Sequence, residues 1–138
     1  MGADTAPTFP YDGGPTAQPS YFPPVGGYRF GLFTVPPATV SAPADLDLQA
    51  GLAEMDEKLP GLVTYLEQDN PGMHTTDTID FEVVLSGEVI LELDDGVEKV
   101  LRPGDTVVQN GTRHRWGNRG TEPAVLAVFI TGAHHVSE

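Results

Sequence analysis

Thr78-Ile79-Asp80-Phe81-Glu82-Val83-Val84-Leu85-Ser86-Gly87 opens a run of strands and turns that continues to Thr131. Branched and aromatic residues fill it, and a glycine ends it, as a strand requires. Beyond it, Val89–Leu93 and Val97–Leu101 flank Asp95-Gly96, a pair that accepts the positive φ angles of a tight hairpin. Pro103-Gly104-Asp105 then turns the chain into Thr106–Gln109, and Glu122–Thr131 supplies a closing strand. Strands at this spacing predict an all-β sandwich or barrel.

Upstream, Tyr28–Val35 is rich in aromatic and branched residues and stops at Pro36-Pro37, where the backbone loses its donors, so it reads as a first strand. Leu48, Leu52, Met55 and Leu59 recur at helical spacing between the candidate caps Asp45 and Asp47 and the stop Pro60-Gly61. That predicts one short helix, packed on the exterior or closing over a pocket together with the loop 70–74. Gly61–Glu67 reads as a further strand. Residues 1–27, rich in Pro, Gly, Ser and Thr and without period, form an arm that is flexible or docks through Tyr11, Tyr21 and Phe22. The rest, 28–138, is one domain.

Composition removes whole classes of function. The 138 residues hold 20 acidic and 7 basic side chains, a net charge of −13. Such a surface repels phosphate backbones and anionic bilayers, so neither nucleic acid nor membrane is an expected partner. With no cysteine, disulfides, thiolate nucleophiles and cysteine-held metals are excluded. Sixteen glycines and 13 prolines argue against long helices. No basic stretch followed by an apolar run opens the sequence, and the longest apolar run is Ala124–Ile130, so neither a signal peptide nor a membrane span is expected and the cytoplasm is the expected compartment.

The candidate chemistry lies on two strands. Alternation puts Asp80, Glu82, Val84 and Ser86 on one face of the first, with Phe81, Val83 and Leu85 on the other. In the commoner arrangement the acids face water and the apolar face packs. If the acids face a cavity instead, they are costly to bury and point to function. In Gly111-Thr-Arg-His114-Arg-Trp116-Gly-Asn118 the same parity groups His114, Trp116 and Asn118 and turns Arg113 and Arg115 away. Arg113, Arg115 and Arg119 either pair with surface acids or form a positive rim that attracts a carboxylate. His134 and His135 are expected at the surface.

These two segments together resemble the motifs of the cupin superfamily, over roughly His74 to Thr131, with a motif core of 72–131. His74, then Asp80 in the place of a glutamate, then Gly87 follow the first motif; Gly104, Gly111, His114 and Asn118 follow the second. The resemblance implies a jelly-roll β-barrel (a double-stranded β-helix) with one short helix and an extended N-terminal arm. It also implies a homodimer by strand sharing, for which Tyr28–Val35 is the strand to exchange.

The departures shape the expected chemistry. Thr76 stands where the family has a second histidine, Gln109 replaces a proline, and Asp80 is one methylene short. What survives for a metal is His74, Asp80 and His114, the donor set of a two-histidine, one-carboxylate site. The cofactor expectation is therefore one divalent metal (iron, manganese, zinc or nickel) or none. Position in the family also places Glu82 on the lining face, beside Asp80. Two carboxylates in a poorly solvated pocket cannot both ionise easily, which leaves a general acid near a base. Glu82, His114, His74 and Asp80 are the candidate catalytic residues, with Thr76, Trp116 and Asn118 lining the pocket. Three functions follow: a lyase or isomerase on a carbonyl-containing, ring-bearing metabolite, a metal-dependent dioxygenase, or a non-catalytic small-molecule binder.

Overall fold

The computed structural model describes residues 18–40, 45 and 47–135. Tyr11 and most of the arm lie outside the described residues. The strands are β1 (Tyr28–Val35), β2 (Thr78–Ser86), β3 (Val89–Glu92), β4 (Glu98–Leu101), β5 (Thr106–Asn110), β6 (Arg115–Gly117) and β7 (Ala124–Gly132), with one helix, α1 (Leu48–Lys58). They build two antiparallel sheets, ordered β1-β7-β2-β5 and β4-β3-β6. The expected β-rich architecture is there, and the hairpin turns where Asp95-Gly96 allows it, with φ of 59° and 71° at those two residues.

Apolar side chains of both sheets meet between the layers. Val84, Leu126 and Val128 come from the larger sheet, Val89, Leu91 and Leu101 from the smaller, and Phe22 of the arm joins them. The commoner reading of β2 is therefore inverted. Asp80 and Glu82 face inward while Phe81 and Leu85 are exposed. A bulge between Val84 and Ser86 shifts the register there, and Ser86 is turned out to solvent instead of sharing the inner face.

Three other segments differ from expectation or refine it. Gly61–Glu67 is not a strand. Gly61 has φ +79°, the Thr64 hydroxyl donates to the Gly61 carbonyl at 2.7 Å, and a 3₁₀ turn forms at Val63–Tyr65. Helix α1 begins where the Asp47 carboxylate accepts from the Gln49 and Ala50 amides. Its Leu52 and Met55 stay more than a third exposed, so it lies on the outside. The end of the arm is strapped across β7: Val25 bridges Gly132, and the Gly132 amide donates to the Gly27 carbonyl. Phe22 is thus spent in its own chain's core.

The outer face of the larger sheet is unusually apolar. Phe30, Phe129, Phe81 and Val108 stand in one register row across all four strands, and Phe30 is 75 % exposed.

The strap predicts a sensitive site. A Cβ at Gly132 would lie 2.0 Å from the Pro24 carbonyl oxygen, so backbone must move to admit one. Gly132→Ala should cost about 2–3 kcal/mol. A thermal melt is expected to show a drop of roughly 10 °C for a domain of this size.

Candidate active site

Strand register fixes the floor of the site. One row across the larger sheet reads Arg29, Ile130, Asp80, Gln109, and the next reads Gly31, Val128, Glu82, Val107. A third, Phe33, Leu126 and Val84, is wholly apolar. The barrel interior is therefore polar at one end and hydrocarbon at the other. Its polar end opens into a cavity of about 570 Å³, lined by Asp80, Glu82, His74, His114, Trp116 and Tyr21 among others. That volume suits a small metabolite.

The histidines are placed by backbone pairing. His74 and His114 exchange amide–carbonyl hydrogen bonds of 3.0 Å each, which brings their rings to 4.3 Å between centroids. Nδ1 of His74 lies 3.0 Å from the Gly72 carbonyl, and Nδ1 of His114 lies 2.7 Å from that of Thr112. A carbonyl only accepts, so each Nδ1 is a protonated donor, and Nε2 is the ring nitrogen left to accept when the ring is neutral. Trp116 meets His114 edge-on at 5.9 Å and walls the cavity.

The acids sit in unfavourable surroundings. Asp80 is 5 % exposed and Glu82 7 %. Burial, with the Asp80 charge behind it, pushes the Glu82 carboxyl up to about 8. Burial also raises Asp80. His114 moves the other way, pushed down to about 4 by burial against the opposing pull of the Thr112 carbonyl. Tyr21 is raised by burial and then by Asp80.

The buried side-chain polar atoms left without a hydrogen bond, among the described residues, are Nε of Arg29, Oδ1 of Asp80, Oε2 of Glu82 and Nε2 of Gln109. All four belong to the two adjoining rows of the sheet floor. Elsewhere in the described fold such atoms are paired. Orphaned polar atoms gathered in one place mark where a ligand completes the bonding.

The structure corrects several expected roles. Thr76 is buried, but its hydroxyl is bonded to that of Thr78 at 2.7 Å, and it lines a smaller cleft on the other side. Asn118 faces inward as parity requires, yet its amide is consumed. Its nitrogen donates to the Val35 and Glu122 carbonyls and its oxygen accepts from Gly120, so it ties loops together away from the cavity. The arginine rim is neutralised: Arg113 pairs with Glu67 and Asp94, Arg115 with Glu92, and Arg119 with Glu98. His134 and His135 are exposed, as expected. Of the expected lid, Gly72 and His74 line the cavity and α1 does not.

The expected metal triad is not assembled. Among the described residues no three His, Asp or Glu side chains meet at a common point. His74 and His114 adjoin, but Asp80 does not complete a three-donor site with them. Sequence reasoning missed Arg29 and Tyr21 as cavity-lining residues, and Gln109 as a buried group in the Asp80 row. The one usable signal was Arg29 as the sole charge in the otherwise apolar Tyr28–Val35.

Comparison with known proteins identifies the family. The family described as "Cupin domain" matches residues 61–131, just over half of the chain, and the chain belongs to that family. The "Phomopsin biosynthesis cluster protein C'" of Diaporthe leptostromiformis is 37% identical over 107 residues, covering 68% of this chain and 57% of that protein. The "Oryzines biosynthesis cluster protein J" of Aspergillus oryzae is 31% identical over 135 residues, 86% of this chain and 75% of its own length. A "Cupin-domain-containing oxidoreductase", fogC, of Aspergillus ruber is 33% identical over 91 residues, 64% of this chain and 45% of that one. The chain thus spans a little over half the length of the phomopsin-cluster relative. A solved cupin protein of Bacteroides fragilis aligns over 81% of this chain and 71% of its own, with a TM-score of 0.46 and 13% identity. Among the described residues no helix is long and apolar enough to cross a membrane.

The opposed shifts of Glu82 and His114 give stability a definite pH dependence. Between about 4.5 and about 8 the native Glu82 holds a proton that the unfolded chain has released, so stability falls as pH rises through that window. Between about 6.5 and about 4 the native His114 refuses a proton that the unfolded chain accepts, so stability falls as pH drops. Glu82→Gln should therefore melt several degrees above the wild type at pH 8 and close to it at pH 4, measured by calorimetry across that range.

Proposed function

We propose that the chain is an enzyme of small-molecule metabolism that works by acid/base chemistry, as a dehydratase, isomerase or cyclase on a carbonyl compound carrying a ring. The observation that carries this reading is Glu82: a carboxyl that keeps its proton near neutrality, with one oxygen unbonded in the cavity. In a dehydration, an imidazole Nε2 takes the proton from the carbon beside the carbonyl, and the C–O bond to the leaving hydroxyl breaks. The hydroxyl takes the Glu82 proton and departs as water, a C=C bond forms, and the imidazolium returns a proton to Glu82. His74 and His114 supply the acceptors, since both hold Nδ1 against a carbonyl. Trp116 offers an apolar wall for the ring. The names of the phomopsin and oryzines relatives support a place in small-molecule biosynthesis.

Turnover is tested with ring-bearing β-hydroxycarbonyl compounds followed by the absorbance of the enone product. Glu82→Gln should lower kcat/KM by about 10²–10⁴-fold, the usual worth of a positioned proton donor. In the wild type, kcat/KM should fall above about pH 8, where Glu82 loses its proton. Turnover that survives Glu82→Gln and is abolished by chelation would replace this reading with a metal-dependent enzyme; the Aspergillus ruber relative is named an oxidoreductase.

A further inference from the structure

Five of the seven basic residues are committed to carboxylates: Lys58 to Glu54, Arg102 to Glu88, and Arg113, Arg115 and Arg119 as described above. Lys99 lies on the exposed side of β4. Arg29 is different. It faces the cavity from the inner row of β1 and is the one Lys or Arg among the residues lining it. No carboxylate among the described residues pairs with it. Its guanidinium has five N–H groups, of which one goes to the Tyr28 carbonyl at 2.9 Å and one to the Ser20 carbonyl at 3.2 Å. Those two bonds hold the head in place, and the Nε–H is buried with no partner.

From this geometry we infer that Arg29 anchors a carboxylate on the substrate, so that the enzyme acts on an organic acid whose reacting carbon lies over Glu82. The inference rests on the catalytic reading above for the reacting end and on Arg29 alone for the binding end. With Nε–H and two of its four Nη–H groups unpartnered, the planar guanidinium keeps donors for a carboxylate, the anion its fork geometry matches. Arg29 and Asp80 flank Ile130 in one row, two strand spacings apart, or about 10 Å between backbones. A single ring bridges that gap. Gly31, next along β1 in the Glu82 row, leaves the β1 side of the floor open, with no atom within 4 Å of where its Cβ would be. In a chain of net charge −13, an anion finds little other positive charge unpaired. The protonated state of Glu82 keeps it from repelling such a substrate.

Titration calorimetry with 2-naphthoate and its neutral isostere 2-naphthamide separates the two parts. Wild type should bind naphthoate at least tenfold more tightly than naphthamide, and Arg29→Gln should erase that preference while leaving naphthamide affinity unchanged. Arg29→Lys, which keeps the charge but loses the fork, should retain part of it. Gly31→Val should weaken both ligands alike, because it fills the floor. Glu82→Gln should leave the naphthoate preference intact, so that failure of the catalytic reading does not touch this one. Melting curves establish that each variant is folded. Equal affinity for the two ligands in the wild type, a preference that persists in Arg29→Gln, or no binding of either at millimolar concentration would overturn the inference.

Discussion

A carboxylate turned into a barrel has to lose its charge, find a cation or meet a ligand. Asp80 and Glu82 project from one face of β2 into the same polar end, and among the described residues no salt bridge gives them a cation. Burial raises the Glu82 carboxyl as a result, and the proposed acid/base reading draws on that. The rest of the interior is arranged to tolerate this. Rows of hydrocarbon at the far end hold the sheets together, so the near end is free to hold groups that would be poor packing material.

The same logic orders the arginines. Four of them are held in salt bridges on the outside, where they offset an acidic surface, and Arg113 and Arg115 brace the segment carrying His114 and Trp116. Such exposed pairs contribute little each, but they leave the interior with a single guanidinium. Arg29 is held by two carbonyls instead of an acid, one of them from the arm that crosses the end of β7. The arm therefore does structural work for the cavity: it supplies Tyr21 to the wall and Phe22 to the core.

Much of this was legible in the residues, and the reasons for the exceptions are physical. The Asp95-Gly96 hairpin, the end of β1 at Pro36-Pro37 and the Asp47 cap are local devices, visible because sequence neighbours decide them. Parity correctly grouped Asp80 with Glu82 and His114 with Trp116, yet it cannot tell which face of a strand is inside. Only the family resemblance turned the acids inward. Thr76 and Asn118 show a different limit: both point inward, but neighbouring hydroxyl and carbonyl groups capture them, and capture depends on loops far away in sequence. Arg29 stood out as the sole charge of its strand, but an arginine there looks the same whether it caps a surface or lines a cavity. The apparent strand at Gly61–Glu67 yielded to a side-chain hydrogen bond that rewards a turn.

Trp116, the sole indole of the chain, touches His114 at the wall of the cavity. Indole emission is quenched by a charged imidazolium and shifts to the blue when water is displaced from around it. The protein therefore carries its own optical gauge, reading out both occupancy of the hollow and the ionisation of its neighbour without any attached dye.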